Sequence, residues 1–231
     1  MDTAQYSIFA KDKFGKFNDL ELLITAFTHR SYLNEHKKSV KEHNERLEFL
    51  GDAVLELVVT ENLYLNHLEA EGILTNWRSA LVRTECISAA ANREGFEPLL
   101  RLSRGEKRGS DRAREQILAN CYEAVVGALY LDQGYEAAKI FIEKTLLPTL
   151  EGILGDGSWL DPKSQLQEVI QNQEGFTPQY KVLSEDGPDH DKIFVVGVFV
   201  DGQNRGEGNG PSKQSAQVAA ATAALKSIPK K

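Results

Sequence analysis

Apolar positions recur at helical spacing through most of the first 150 residues. Periodic segments cover residues 20–28, 46–66, 76–94, 115–131 and 135–150, and none alternates as a strand would. The pattern breaks at Glu151-Gly152-Ile153-Leu154-Gly155-Asp156-Gly157-Ser158, a glycine-rich run that reads as an interdomain linker. Beyond it, Asp161 and Pro162 are placed to cap and open a helix over 162–173. Residues 179–184 and 193–200 are strand-like, and Asp201-Gly202 turns the chain into a weaker strand around 204–207. Residues 212–227 form an alanine-rich helix. The expectation is an all-α domain over 1–151, a linker over 152–160, and a small α+β domain of order α-β-β-β-α over 161–231.

Composition narrows the setting. The 231 residues suit one or two domains with a sizeable core. Cys86 and Cys121 lie in apolar helical contexts and lack metal or redox spacing, so they read as core residues of a protein from a reducing compartment. The first 13 residues are mixed and polar rather than signal-like, and no apolar run spans a bilayer, so a cytoplasmic protein without a membrane partner is expected.

The most informative stretch is Asn44-Glu45-Arg46-Leu47-Glu48-Phe49-Leu50-Gly51-Asp52-Ala53-Val54-Leu55. Among its apolar positions, Glu45, Glu48 and Asp52 fall at i, i+3 and i+7 and so share one helix face. Like charges at that spacing repel, and a buried carboxylate needs a partner. Spacing alone leaves open a solvated acidic stripe or an oxygen-ligand site for a hard divalent cation. The residue order resembles the signature segment of the ribonuclease III family, whose members cut double-stranded RNA. Ile117-Leu118-Ala119-Asn120-Cys121-Tyr122-Glu123-Ala124 resembles that family's second acidic motif.

The resemblance implies an all-α endonuclease domain followed by a double-stranded RNA-binding domain. It casts Glu48, Asp52 and Glu123 as metal-binding carboxylates, with Glu45 at another acidic position of the same catalytic site. Asn120 stands at a metal position where the family has aspartate, and its amide oxygen brings no charge. Glu71 opens a helix, where the macrodipole favours an acid, and also matches a secondary acidic position near the family's active site. Phe49 matches an aromatic at the homodimer interface, although an ordinary core Phe fits the sequence equally well. The implied cofactor is Mg²⁺, with Mn²⁺ as a substitute and no organic cofactor. The implied reaction is hydrolysis of phosphodiester bonds to leave 5′-phosphate and 3′-hydroxyl ends in rRNA and mRNA processing. His29 reads as structural.

Six cations between Arg101 and Arg114 form a basic loop suited to tracking phosphates. In the C-terminal block, the resemblance assigns RNA contacts to Ser164, Gln167 and Glu168 on the first helix, His190 between the first strands, and Lys213 at the start of the last helix. Charge argues for modest affinity. The chain carries a formal −7, and from Asp161 onward eight Lys and Arg face nine Asp and Glu. The alternative is a double-stranded RNA-binding protein whose cleavage is impaired by Asn120.

Overall fold

In a computed structural model of the chain, which describes residues 3–37, 40–157, 159, 161–188 and 192–228, the chain forms two compact units, Met1–Trp159 and Leu160–Lys231. The first unit is helical: α1 (Ala4–Phe14), α2 (Leu20–Ala26), α3 (Arg30–Glu35), α4 (Glu45–Asn66), α5 (Glu71–Leu81), α6 (Thr84–Arg93), α7 (Asp111–Gln133), α8 (Tyr135–Thr145) and α9 (Thr149–Asp156). The second runs α10 (Pro162–Glu174), β1 (Gln179–Asp186), β2 (Ile193–Val200), β3 (Gln203–Gly210) and α11 (Lys213–Ser227).

The two longest apolar periodicities become α4 and α7, which pack along each other at the centre of the first unit. Val54, Leu55, Val58 and Leu63 of α4 are buried against Leu118, Tyr122, Val125 and Leu129 of α7. Two glycines allow unusually close approach. A Cβ at Gly51 would fall on the Glu123 carbonyl oxygen and within 2.8 Å of the Gly127 nitrogen, and one at Gly127 would fall on the Leu47 carbonyl. The backbones therefore touch where these residues cross. Phe9, Phe27 and Phe96 close one end of the core edge-on, with ring centroids 5.1 to 5.5 Å apart.

Several sequence expectations need correction. The expected linker is helical through Asp156, because Leu150 and Ile153 are buried in the core of the first unit and outweigh the helix cost of two exposed glycines. The single periodic segment over 76–94 is two helices, broken where Arg83 takes an extended conformation. Helices α1 and α3 were not foreseen. The first is short on periodic signal yet buries Tyr6 and Phe9, and the second is capped by the His29 ring accepting from the Ser31 N–H.

In the second unit, antiparallel β1-β2-β3 presents Val196, Val198 and Val200 to Leu166 and Ile170 of α10 and to Ala216, Ala220 and Ala224 of α11. Asp201 and Gly202, both at positive φ (46° and 75°), make the two-residue turn the dipeptide forecasts. The third strand is longer than the 204–207 its sequence suggests and runs on through Gly208 and Gly210. Its glycines exist for packing. A Cβ at Gly206 would come within 2.7 Å of the Ala224 nitrogen, and one at Gly210 within 2.9 Å of the Ala216 nitrogen. Strand propensity is given up so that α11 can lie directly on the sheet.

Gly51→Ala is expected to destabilise the protein by about 3 kcal/mol or more, because the obstruction is backbone rather than a movable side chain. Gly152→Ala, in α9 with open space around it, should instead stabilise by roughly 0.5–1 kcal/mol. Chemical denaturation of the two variants checks both signs.

Candidate active site

The glycine crossing is what assembles the acidic site. With Gly51 pressed on the Glu123 carbonyl, Glu48 lies one turn before the contact, Asp52 immediately after it, and Asn120 and Glu123 face them from α7. Glu48, Asn120 and Glu123 are half-buried, whereas Asp52 and Glu45 are exposed. Glu123 has its carboxyl pushed up to about 8, first by burial and then by the charges of Asp52 and Glu48. Glu48 is also raised, by burial and then by Glu45, with a hydrogen bond from Asn120 acting in the opposite direction and Asp52 adding to the rise. Glu45 stands at the rim, 3.4 Å from the Arg30 guanidinium and 3.9 Å from His43 Nδ1.

Among the described residues no cationic side chain pairs with Glu48, Asp52 or Glu123. Nor do any three Asp, Glu, His or Cys side chains already converge closely enough to enclose an ion. The carboxylates stand near enough to raise one another's pKa yet apart from one another, as mutual repulsion requires. Their donor set is all oxygen and strongly anionic, which fits a hard divalent cation and no softer metal. Asn120 differs from its neighbours. Its Oδ1 accepts from Gln116 Nε2 at 2.7 Å, a contact within α7 itself. Gln116 escaped the sequence reading, although its i, i+4 spacing from Asn120 was a usable signal.

The remaining candidates separate clearly. Glu71 is not brought to the acidic cluster. It sits at the first turn of α5, in a groove of about 800 Å³ lined by Leu63, Tyr64, Leu65, Leu68 and Leu74 near the far end of α4. Phe49 is 82% exposed rather than a core residue. Ala53, Leu57 and Tyr64 continue its exposed stripe along α4. His29 is structural: its Nδ1 lies 2.8 Å from Ser31 Oγ, and burial lowers its pKa. The basic loop is only partly available for a ligand. Arg101 bonds Thr28 Oγ1 at 3.1 Å and covers the Tyr32 ring at 4.5 Å, and Arg114 is 3.6 Å from Glu97. Arg104, Lys107, Arg108 and Arg112 are exposed.

On the second unit, Ser164, Gln167 and Glu168 lie on α10, and the Ser164 N–H is held by the Asp161 cap. Lys213 stands at the start of α11, 3.0 Å from Glu185 Oε1 and 5.4 Å from the Phe194 ring centroid. His190 lies outside the described residues. Lys163, missed in the sequence, donates to Gln217 Oε1 at 2.7 Å and lies 5.1 Å from the Tyr180 ring centroid beside Ser164.

Residues 19–150 match the family model described as ribonuclease-III-like, and residues 162–228 match the double-stranded RNA binding motif. Ribonuclease 3 of Enterococcus faecalis is 44% identical over 224 residues, spanning 95% of this chain and 96% of the relative. The Geobacillus kaustophilus ribonuclease 3 is 45% identical over 217 residues, spanning 92% and 86%. Among solved structures, a nuclease domain of Campylobacter jejuni ribonuclease III aligns with a TM-score of 0.53 at 39% identity, covering 61% of this chain and 96% of that domain. A helical carboxylate site joined to a double-stranded RNA-binding unit defines an endoribonuclease directed at duplex RNA. The chain belongs to the ribonuclease III family.

The raised Glu123 pKa makes a signed prediction. Between about 4.5 and about 8 the folded protein holds a proton that the unfolded chain has released, so stability falls as pH rises through that window. In EDTA, the melting temperature should drop from about pH 5 to about pH 8.5 more steeply for the natural protein than for Glu123→Gln, which has no such proton to lose. Parallel slopes for the two proteins would show that Glu123 carries an ordinary carboxyl.

Proposed function

We propose that Glu48, Asp52 and Glu123 hold Mg²⁺, or Mn²⁺ in its place, and that the protein uses this site to hydrolyse phosphodiester bonds of double-stranded RNA. The observation that carries the reading is the half-buried Glu123 carboxylate facing two further acids with no cationic partner among the described residues. A bound divalent cation supplies Lewis-acid activation of water and neutralises charge on the leaving 3′ oxygen. The chain's own residues confine that chemistry. Burial around Glu123 strengthens its interaction with a cation, and Glu45 extends the anionic rim toward solvent. The products are 5′-phosphate and 3′-hydroxyl ends, in rRNA and mRNA processing within the cytoplasm. No helix among the described residues is long and apolar enough to cross a membrane.

The active form is a homodimer through α4. Phe49 and the apolar groove beside Glu71 lie toward opposite ends of that helix, with exposed Ala53, Leu57 and Tyr64 running between them. A two-fold axis across α4 would lay Phe49 of each copy into the groove of the other, as an isologous interface requires. The same pairing would carry Glu71 toward the acids of the other copy, which accounts for its separation from them within one chain. The Campylobacter jejuni neighbour is described as having structural flexibility in a region involved in dimer formation.

RNA docks on the second unit through Ser164, Gln167, Glu168, His190 and Lys213, which suit 2′-hydroxyls and phosphates of A-form duplex. Arg104, Lys107, Arg108 and Arg112 supply further phosphate contacts from the first unit.

Incubation with a long labelled RNA duplex should give short duplexes with Mg²⁺ and none with EDTA. Glu123→Gln should reduce cleavage by about a thousandfold or more while RNA binding stays within a few-fold, and undiminished cutting would remove Glu123 from the site. Phe49→Glu should sediment as a monomer; a dimer of unchanged stability would exclude this interface.

A further inference from the structure

The groups proposed to dock RNA on the second unit come from two helices: Ser164, Gln167 and Glu168 from α10, and Lys213 from α11. An A-form duplex fixes the spacing between its shallow groove and the neighbouring phosphates, so the two helix ends must keep one separation. The shared core restrains that separation weakly. Leu166 and Ile170 of α10 meet Ala216, Ala220, Ala221 and Ala224 of α11 there, and a methyl-lined face offers shallow ridges to lock against. A polar tie joins the helices nearer their RNA-facing ends. Lys163, next to Ser164, donates to Gln217 Oε1 at 2.7 Å, and Gln217 lies one turn beyond Lys213 on the same face of α11. The ammonium also stands 5.1 Å from the ring centroid of Tyr180 in β1, and that ring packs on the core. Lys163 and Gln217 are both half-buried, which strengthens their bond against competition from water. Ser164 and Gln167 border the same cleft as Gln214 of α11, a space of about 430 Å³ beside Lys163 and Tyr180.

We propose that Lys163 is a positioning residue for duplex RNA, its ammonium engaged in holding α10 to α11 and not in contacting a phosphate. The inference rests on RNA docking through both helices. With the tie in place, the two helix ends are already set for the duplex, and binding is relieved of the cost of ordering them. The role falls to the lysine because its long stem reaches from α10 across the Tyr180 ring to α11.

The test is binding of the full-length protein to a labelled RNA duplex in EDTA, over a series of salt concentrations, far below every variant's melting temperature. Lys163→Met keeps an unbranched apolar stem and removes the ammonium. It should weaken binding about tenfold while the slope of log affinity against log salt stays unchanged, and Gln217→Leu should match it. The two changes together should cost no more than either alone, since they cut one tie. Lys213→Ala, which removes a phosphate contact, should lower the slope by about one. In that background Lys163→Met should lose most of its effect, whereas a general loosening of the fold would give the same factor in both. A slope lowered by about one in Lys163→Met, with Gln217→Leu binding like the natural protein, would make Lys163 a phosphate contact and overturn the proposal. Natural affinity in Lys163→Met would overturn it too, as would an undiminished effect in the Lys213→Ala background. Natural affinity in Lys213→Ala would instead overturn docking through α11, a result told apart because it does not involve Lys163.

Discussion

The backbone-to-backbone contact of α4 with α7 is the constraint on which the nuclease unit depends. Gly51 and Gly127 leave no side chain between the helices, and the Leu47 and Glu123 carbonyls fill that space. An ordinary pair of helices packs about 8–10 Å apart and keeps its polar residues at the edges of the interface. Here the closer approach pulls Glu48 and Glu123, which flank the contact, into partial burial. The acidic site follows from the packing of two long helices, and the large aliphatic core beneath holds that packing rigid.

Rigidity at this point has an electrostatic cost. Three carboxylates held near one another cannot all ionise freely, and the carboxyl of Glu123 shows it most because it is the most enclosed of them. Asp52 lies open to solvent, and Glu45 stands at the rim beside Arg30 and His43. The gradient runs from solvated rim to half-buried floor, so the group that folding disfavours most is the one a bound cation would relieve most. Asn120 adds no further charge to that conflict.

How much of this was legible in the sequence varied with the physics involved. The acids at i, i+3 and i+7 reported their shared face directly, because helix geometry alone decides it. Apolar periodicity found α4 and α7 but ran α5 and α6 together, since a short break at Arg83 leaves the apolar spacing undisturbed. The linker expected over 152–160, helical as far as Asp156, shows the opposite failure. Glycines that signal a loop locally were overruled by burial of Ile153, a tertiary contact that no local window contains. The third strand was underestimated because its glycines answer to α11, which follows them in the chain. Phe49 was ambiguous between core and interface, and its exposure excludes the core. Gln116 went unnoticed because a lone polar residue on a helix has no meaning until its partner is known.

The Lys213–Glu185 pair has a consequence for how RNA would arrive. The cation in the first turn of α11 shares Glu185 with Lys192, the two ammonium groups lying 3.0 and 3.8 Å from its carboxylate oxygens, so the three groups together keep one positive charge. That charge is felt over about 8 Å, the Debye length at physiological ionic strength. A duplex phosphate that reached Lys213 would still have to compete with Glu185 for it. Recognition at this surface would then be an exchange of one anion for another, favoured by a single surplus charge.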